Sequence, residues 1–344
     1  MADHAKHIAR CKRLIPPLSP ELHKGQAGRV GVVGGSKDYS GAPYFASMTT
    51  LRIGADLAHV ICEPAAGRAS CELSPHIIKT YSPDLIVHTD LNEKLSEDEM
   101  TQVFKGVLPR LHTLVIGPGL GRDAHMQLAA RVAIRLAREN ELYVVLDADA
   151  LWLVQNDPSV VKGYKRAVLT PNVVEFQRLA ESCNIDPKSM EPTELAAAIS
   201  RALEGPTLVQ KGREDRITNG TETLVSELTG SSRRCGGQGD VLSGAVGTFL
   251  AWGKNYEERE AKDEEDPIKP HEITLLAAYA ASSLTRTASR LTFAKHKRAM
   301  QTGEMVGFVG EAFEEVFGSD AVADQGLGEA GVVDKLVTAI KGSL

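Results

Sequence analysis

The chain lacks any cysteine pairing pattern. Its five cysteines (Cys11, Cys62, Cys71, Cys183 and Cys235) are scattered, odd in number and free of CxxC spacing. That argues against a disulfide framework or a zinc site and predicts a reducing, cytoplasmic setting. It also lacks positive charge in excess: 39 Lys and Arg against 45 Asp and Glu leave a net charge of −6. No basic face announces nucleic acid or an anionic membrane. No apolar run approaches the length of a membrane span. The opening stretch Met1 to Arg13 is basic but has no apolar signal core, so secretion is not expected, and Asp3 and the scarcity of serine speak against a transit peptide. Internal repeats and low-complexity linkers are absent too.

What is present is ordinary for a globular protein. Apolar residues make up 42% of 344 and charged residues 24%, enough for a substantial core. Short apolar runs alternate with helical patterns, the signature of a βαβ-built parallel sheet. Strands are predicted at Arg29–Val33, His59–Cys62, Leu85–Val87, Thr113–Ile116, Tyr143–Leu146, Ala167–Leu169 and Thr207–Gln210. Helices are predicted at Pro43–Leu57, Met126–Asn140, Val174–Cys183, Glu194–Leu203, from the glycines near 237 to Trp252, and at Ile273–Leu291. One catalytic domain over 21–344 is expected, with 1–20 as an N-terminal extension. Residues 254–270, charged almost throughout as far as Pro267, read as a solvated surface insertion between two helices.

The most informative run is Ser231-Ser232-Arg233-Arg234-Cys235-Gly236-Gly237-Gln238-Gly239-Asp240. Three glycines remove the Cβ atoms that would keep a backbone away from a ligand. The small apolar residues that follow read as a helix, so the glycine N–H groups crown a helix N-terminus. That is an anion site, and phosphate suits it. Arg233 and Arg234 could clamp further phosphate oxygens. Asp240 has two readings: an acid that stabilises its own helix end, or a base that takes a proton from an attacking hydroxyl. The glycines before it favour the base. Cys235, beside two arginines, should be more acidic than a free thiol, without a catalytic role being expected.

Other clusters lie at strand ends, where open parallel sheets gather ligands. Gly117-Pro118-Gly119-Leu120-Gly121 superficially matches a dinucleotide fingerprint, but Pro118 deletes an N–H and the acid Asp147 lies too far on. Asp149 is expected to cap a helix beginning at Ala150. Asp147 is the better candidate for a ligand or a hydrated metal. Asn172 and Glu175 stand three apart at a helix start, either as a capping box or as orienters of waters around Mg²⁺ on a nucleotide. Lys211, in Lys211-Gly212-Arg213-Glu214-Asp215, is either a point charge on phosphate or a solvated turn lysine.

Taken in order, these blocks resemble the ATP-dependent NAD(P)H-hydrate dehydratases, a branch of the ribokinase-like superfamily, and Arg233-Arg234-Cys235 resembles its eukaryotic-type members. The resemblance runs from about Leu22 to about Phe317. It begins with Gly34-Gly35-Ser36-Lys37-Asp38-Tyr39-Ser40-Gly41-Ala42-Pro43-Tyr44 and ends with Cys235 to Asp240. It implies an α/β fold: a ribokinase-like αβα sandwich around a central, mostly parallel sheet. It also implies a repair reaction, in which the hydroxyl of a hydrated NADH or NADPH (the S-epimer) is phosphorylated and phosphate then leaves.

Carried onto this chain, the resemblance makes Asp240 the base. Gly119, Asn172, Val173, Val174, Glu175, Phe176, Gln177 and Arg178, with Asp240, would touch the hydrated dinucleotide. Lys211, Gly212, Arg213, Glu214 and Asp215 would hold ATP as co-substrate. So would Gly230, Ser231, Ser232, Arg233, Arg234, Cys235, Gly236, Gly237, Gln238 and Gly239. Mg²⁺ is expected with the triphosphate, and no protein side chain is assigned as its ligand. The partners expected are small molecules, with no nucleic acid and no membrane, and the oligomeric state, homo-oligomer included, is left open.

The motif departs from relatives that carry threonine before the glycines and from kinases that read Gly-Ala-Gly-Asp. The nearest alternative is a small-molecule kinase of hydroxymethylpyrimidine or sugar type. An NAD-dependent dehydrogenase resting on Gly117 to Gly121 and a non-catalytic nucleotide sensor are further alternatives.

Overall fold

A computed structural model describes residues 2–18, 23–67, 77–259 and 266–318. Leu22, Cys71 and residues 260–265 of the charged segment lie outside these. The strands are β1 Arg29–Val33, β2 Leu57–Ile61, β3 Ile86–His88, β4 Thr113–Ile116 and β5 Tyr143–Leu146. They continue with β6 Ala167–Leu169, β7 Thr207–Gln210, β8 Asp215–Thr218 and β9 Thr223–Ser226. The helices are α1 Ala2–Lys12, α2 Gly41–Ile53, α3 Pro64–Gly67, α4 Ile77–Tyr81, α5 Glu97–Val107 and α6 Ala124–Glu139. Then come α7 Asp149–Asn156, α8 Val173–Ser182, α9 Pro192–Ala202, α10 Gln238–Arg259 and α11 Pro270–His296. The last two are α12 Thr302–Gly307 and α13 Val309–Phe317.

The strands form one sheet in the order β3-β2-β1-β4-β5-β6-β7-β8-β9. From β3 to β7 every pairing is parallel. The order reverses between β1 and β4, which is where such sheets open a crevice at their carboxyl ends. Because side chains alternate along a strand, Tyr143 and Val145 of β5 enter one core while Val144 and Leu146 enter the other. Helices α1, α2, α10, α11 and α13 bury their apolar residues in the first core, and α5 to α9 in the second. The result is three layers.

All seven predicted strands are present, and the antiparallel β8 and β9 extend the sheet beyond them. Asp215-Arg216-Ile217-Thr218 carries two charges in four residues, so it offers little apolar signal. The hairpin has a geometric effect. β7 ends at the carboxyl edge, β8 runs back, and β9 returns, so the chain reaches that edge once more.

The charged stretch is not wholly a solvated excursion. Helix α10 runs through it to Arg259, with Asn255 and Tyr256 buried. Glu257 accepts two hydrogen bonds from Arg166, at 2.7 and 2.8 Å. Every third or fourth residue of a helix returns to the same face, so a run of mixed charge can still present a buried stripe. The N-terminal stretch is also engaged with the core, through Ile8, Cys11 and Leu14.

Helix α10 lies unusually close to its neighbours. A Cβ on Gly244 would stand 2.2 Å from the Ala46 carbonyl oxygen of α2, and one on Gly247 2.6 Å from Val115 of β4. Only bare backbone fits at both places, and this seats the N-terminus of α10 over the carboxyl edge of the sheet.

Candidate active site

Four strand ends and one helix start converge at that edge. After β5, Asp147 is buried at 3% exposure. Its Oδ1 accepts from the Thr170 hydroxyl after β6 at 2.7 Å and from the Lys211 ammonium after β7 at 3.1 Å. Backbone geometry fixes Asp147 as firmly as these bonds do. A Cβ on Gly117 would lie 1.8 Å from the Asp147 carbonyl oxygen, so the β4 turn can nest against β5 only as glycine. The next residue, Ala148, sits at φ 47° and ψ −116°. A non-glycine residue there costs of order 1–3 kcal/mol, strain of the kind that gathers at functional sites.

Asp240 occupies the first turn of α10. Burial, reinforced by the charge of Asp147 and opposed by Lys211, pushes its carboxyl up to about 7. Asp240 forms no salt bridge of its own among the described residues. Lys211 is governed by the same neighbours: burial pulls its ammonium down, but Asp147, Glu175 and Asp240 outweigh that and hold it above ordinary lysine. The group is therefore a buried acid, an anchored cation, and a second acid whose proton is poised near neutrality. Gly239 sits against it, its absent Cβ 3.5 Å from Lys211 Nζ and 3.8 Å from Asp147 Oδ2.

Beside this group opens a cavity of about 420 Å³. Its wall includes Lys211, Gly212, Asp215, Gly230, Ser231, Arg234, Cys235, Gln238 and Gly239, all singled out in the sequence. Ser231 and Gln238 hold the Arg233 carbonyl, at 2.7 and 3.2 Å, shaping the loop into α10. The side chains of Ser232, Arg233 and Arg234 are exposed, and only Arg234 of the three borders the cavity. At Gly236 nothing lies within 4 Å of where a Cβ would be. Gly237, at φ 96°, has no such room, because a Cβ there would meet Thr302 of α12 at 2.8 Å.

The block from Asn172 to Arg178 divides in two. Asn172 caps α8, accepting from the Val174 and Glu175 amides at 2.9 and 3.0 Å, while Glu175 Oε2 accepts from the Asn172 amide at 2.8 Å. The capping box is thus complete. Asn172 and Val173 also border the cavity. Val173 and Val174 are more than half exposed, which is unusual for valines and leaves an apolar edge beside the opening. Gln177 and Arg178 are exposed on the same helix.

Phe176 does not join them at the surface: its side chain turns into the core. It is 3% exposed and belongs to the second core. Burying such a side chain is worth about 1.5–3 kcal/mol, which holds it away from the surface. Gly119, at φ 61°, fits tightly against the Tyr39 backbone and joins the β4 turn to the Gly35 loop through a 3.0 Å hydrogen bond.

Two further acids differ from expectation. Asp149 does not cap α7: its carboxylate instead accepts from the Gly121 amide at 3.0 Å and from Arg122 at 3.2 Å. Asp215 borders the cavity with its carboxylate already bound by Arg286, Ser282 and the Gly212 amide. Within the same loop, Glu214 faces Arg216 at 3.6 Å and the Arg213 side chain is exposed.

The sequence reading missed the cavity residues of α11, namely Thr285, Arg286 and Ser289, and the supporting role of Thr170. A signal for Arg286 was present: Asp215 follows a strand and needs a cation, and α11 is otherwise poor in charge.

Comparisons with known proteins fit this geometry. The family profile described as NAD(P)H-hydrate dehydratase matches residues 30–307. The chain is 50% identical over 314 residues to the ATP-dependent (S)-NAD(P)H-hydrate dehydratase of Mycosarcoma maydis, covering 89% of this chain and 87% of that one. With the protein of the same name from Pongo abelii it shares 43% over 316 residues, covering 92% and 90%. Among solved structures, the ADP/ATP-dependent NAD(P)H-hydrate dehydratase of Bacillus subtilis, co-crystallized with ATP/Mg²⁺, overlays at TM-score 0.64. It covers 90% of this chain and 97% of its own at 20% identity, a likeness of fold. A ribokinase-like superfamily protein from Enterococcus faecalis overlays at 0.66, covering 90% and 95% at 21% identity, so the three-layer architecture is ribokinase-like.

Proposed function

This chain belongs to the NAD(P)H-hydrate dehydratase family, and on that premise we propose how its site performs the family reaction. The chain is an enzyme that converts the hydrated S-epimers of NADH and NADPH back to the reduced cofactors, using ATP and releasing ADP and phosphate. The observation that carries the mechanism is Asp240: a partly buried acid with its carboxyl pushed up to about 7, beside the cavity rimmed by the glycine loop.

Hydroxide is a poor leaving group and phosphate a good one. Asp240, deprotonated, takes the proton of the ring hydroxyl as its oxygen attacks the terminal phosphorus of ATP, and ADP departs. The ring nitrogen lone pair then expels phosphate from the neighbouring carbon. Loss of one proton from the next carbon restores the dihydropyridine. The amides around Gly236 and Gly239, at the start of α10, suit the negative charge on the moving phosphoryl group. The anchored Lys211 supplies a cation beside it.

The cavity takes ATP, with Arg234 placed to meet phosphate, and Val173 and Val174 offer the apolar edge on which the dinucleotide rests. Asp147 is the acidic group that would be at hand for a hard cation arriving with the triphosphate, and such a cation would offset phosphate charge. No cluster of three or more His, Cys, Asp or Glu side chains able to hold a metal occurs among the described residues. Cys11, Cys62, Cys183 and Cys235 are all free thiols, in keeping with the proposed cytoplasmic setting.

The test is to incubate the protein with hydrated NADH and follow the return of reduced-nicotinamide absorbance. Recovery that requires ATP supports the proposal. Release of a stable phosphorylated alcohol without recovery would instead make the protein a small-molecule kinase.

A further inference from the structure

We infer that one face of α11, built from Ser282, Arg286 and Ser289, is a positioning device that holds the two nucleotide loops at a fixed separation. The inference rests on the reading that the cavity takes ATP. The three residues are spaced by four and three, so they share a face of the helix. Each reaches a loop segment that borders the cavity. Ser282 donates to Asp215 Oδ2 at 2.7 Å, and the hydroxyls of Ser289 and Ser231 lie 2.7 Å apart.

Arg286 does most. Its Nε donates to Asp215 Oδ2 at 2.9 Å, and its Nη2 to Asp215 Oδ1 and to the Gly212 carbonyl. Its Nη1 donates to the carbonyls of Arg213 and Leu228, at 2.8 and 3.0 Å. Five donors meet five acceptors, so the guanidinium has none left for a phosphate. Gly212 and Arg213 belong to the loop after β7, and Leu228 to the segment leaving β9, which leads to Gly230. One planar group therefore ties together backbone from both sides of the cavity.

Arg286 is a positioning residue, acting on ATP through loops it does not share with the hydrated dinucleotide. Lysine at this place keeps the charge beside Asp215 but brings only three donors in no fixed plane, so it cannot reproduce the tie. The decisive experiment is steady-state kinetics of Arg286→Lys against both substrates. The expected result is an ATP KM raised about tenfold, with kcat and the KM for hydrated NADH within about twofold of the parent.

A merely structural role predicts otherwise: a smaller folded fraction lowers kcat and leaves both KM values in place. That outcome, or an unchanged ATP KM, overturns the inference. Hydrogen exchange on the unaltered protein gives a second measurement that no folding defect can cloud. The amides of 212–215 and 228–231 are expected to be protected together before nucleotide is added, and independent fast exchange of either segment overturns the inference. If the parent protein shows no dependence on ATP, the functional reading fails instead, and the two failures are told apart.

Discussion

Two glycine-rich turns meet at the carboxyl edge of the sheet, and they use glycine for opposite ends. In the turn after β4, a side chain is excluded by the protein itself: a Cβ on Gly117 would lie 1.8 Å from the Asp147 carbonyl oxygen. Its partner Gly34 is as tight, 2.0 Å from the Pro118 carbonyl oxygen. Where the chain enters α10, Gly237 is fixed by Thr302, which a Cβ would meet at 2.8 Å, and by a φ of 96°. Gly236, however, faces open space, and Gly239 in the first turn meets only Lys211 and Asp147 at 3.5 Å and beyond. The first turn is glycine because backbone lies against backbone. At Gly236 and Gly239 the second is glycine although nothing in the fold fills the space, which leaves the ligand as the reason there. Both read alike as letters, and only the distance to the nearest atom separates them.

That contrast can be broken by substitution. Gly117→Ala is expected to have the largest effect, costing about 3 kcal/mol or more because both the contact and the φ of 123° forbid a side chain. Soluble yield and thermal melting measure it, and a normal melting point would show that the two turns do not differ. Asp240→Asn is expected to lower turnover by about a hundredfold to ten-thousandfold while ATP binding persists. Its melting point above pH 7 should rise. A carboxyl whose folded pKa is raised from 3.8 to about 7 stabilises the fold when protonated, and that contribution is lost as pH climbs through 7.

Gly239→Ala, with room for its methyl group but against Lys211, should slow turnover by about tenfold and leave melting within about 2 °C. Gly236→Ala should be the mildest, changing the ATP KM by about threefold or less without touching stability. A Gly236→Ala variant that unfolds would end the distinction drawn here. In the parent enzyme, kcat/KM is expected to rise as pH increases through about 7, as Asp240 loses its proton, and to fall below it.

Much of the molecule was legible beforehand, for identifiable reasons. β1, β2 and β4 to β7 are mostly apolar and buried on both faces, so each stands out as a run, and the edge strand β3 still carries Ile86 and Val87. Asp240 and the glycines before it announced their helix end. The hairpin of β8 and β9 was hidden because β8 carries two charges and β9 has only Leu224 and Val225 between two polar residues, so both carry little apolar signal. Phe176 stands apart from the rest of its block because a motif is a string, whereas the fourth residue of α8 turns into the core whatever its neighbours do. The cradle role of α11 was concealed in an alanine- and serine-rich stretch that also suits close helix contact, and only folding shows Arg286 beneath the loops.

The sequence distance between Asp215 and Arg286, 71 residues, has a temporal meaning. As the chain emerges from the ribosome, β8, β9 and the glycine loop are all made before the helix that ties them. Until α11 arrives, the two halves of the nucleotide cradle are joined through the β7-β8-β9 pairing alone and lack the tie from Arg286. A chain made only as far as α10 therefore lacks every hydrogen bond that Ser282, Arg286 and Ser289 give to those loops, and the cradle takes its final shape only when α11 joins its layer.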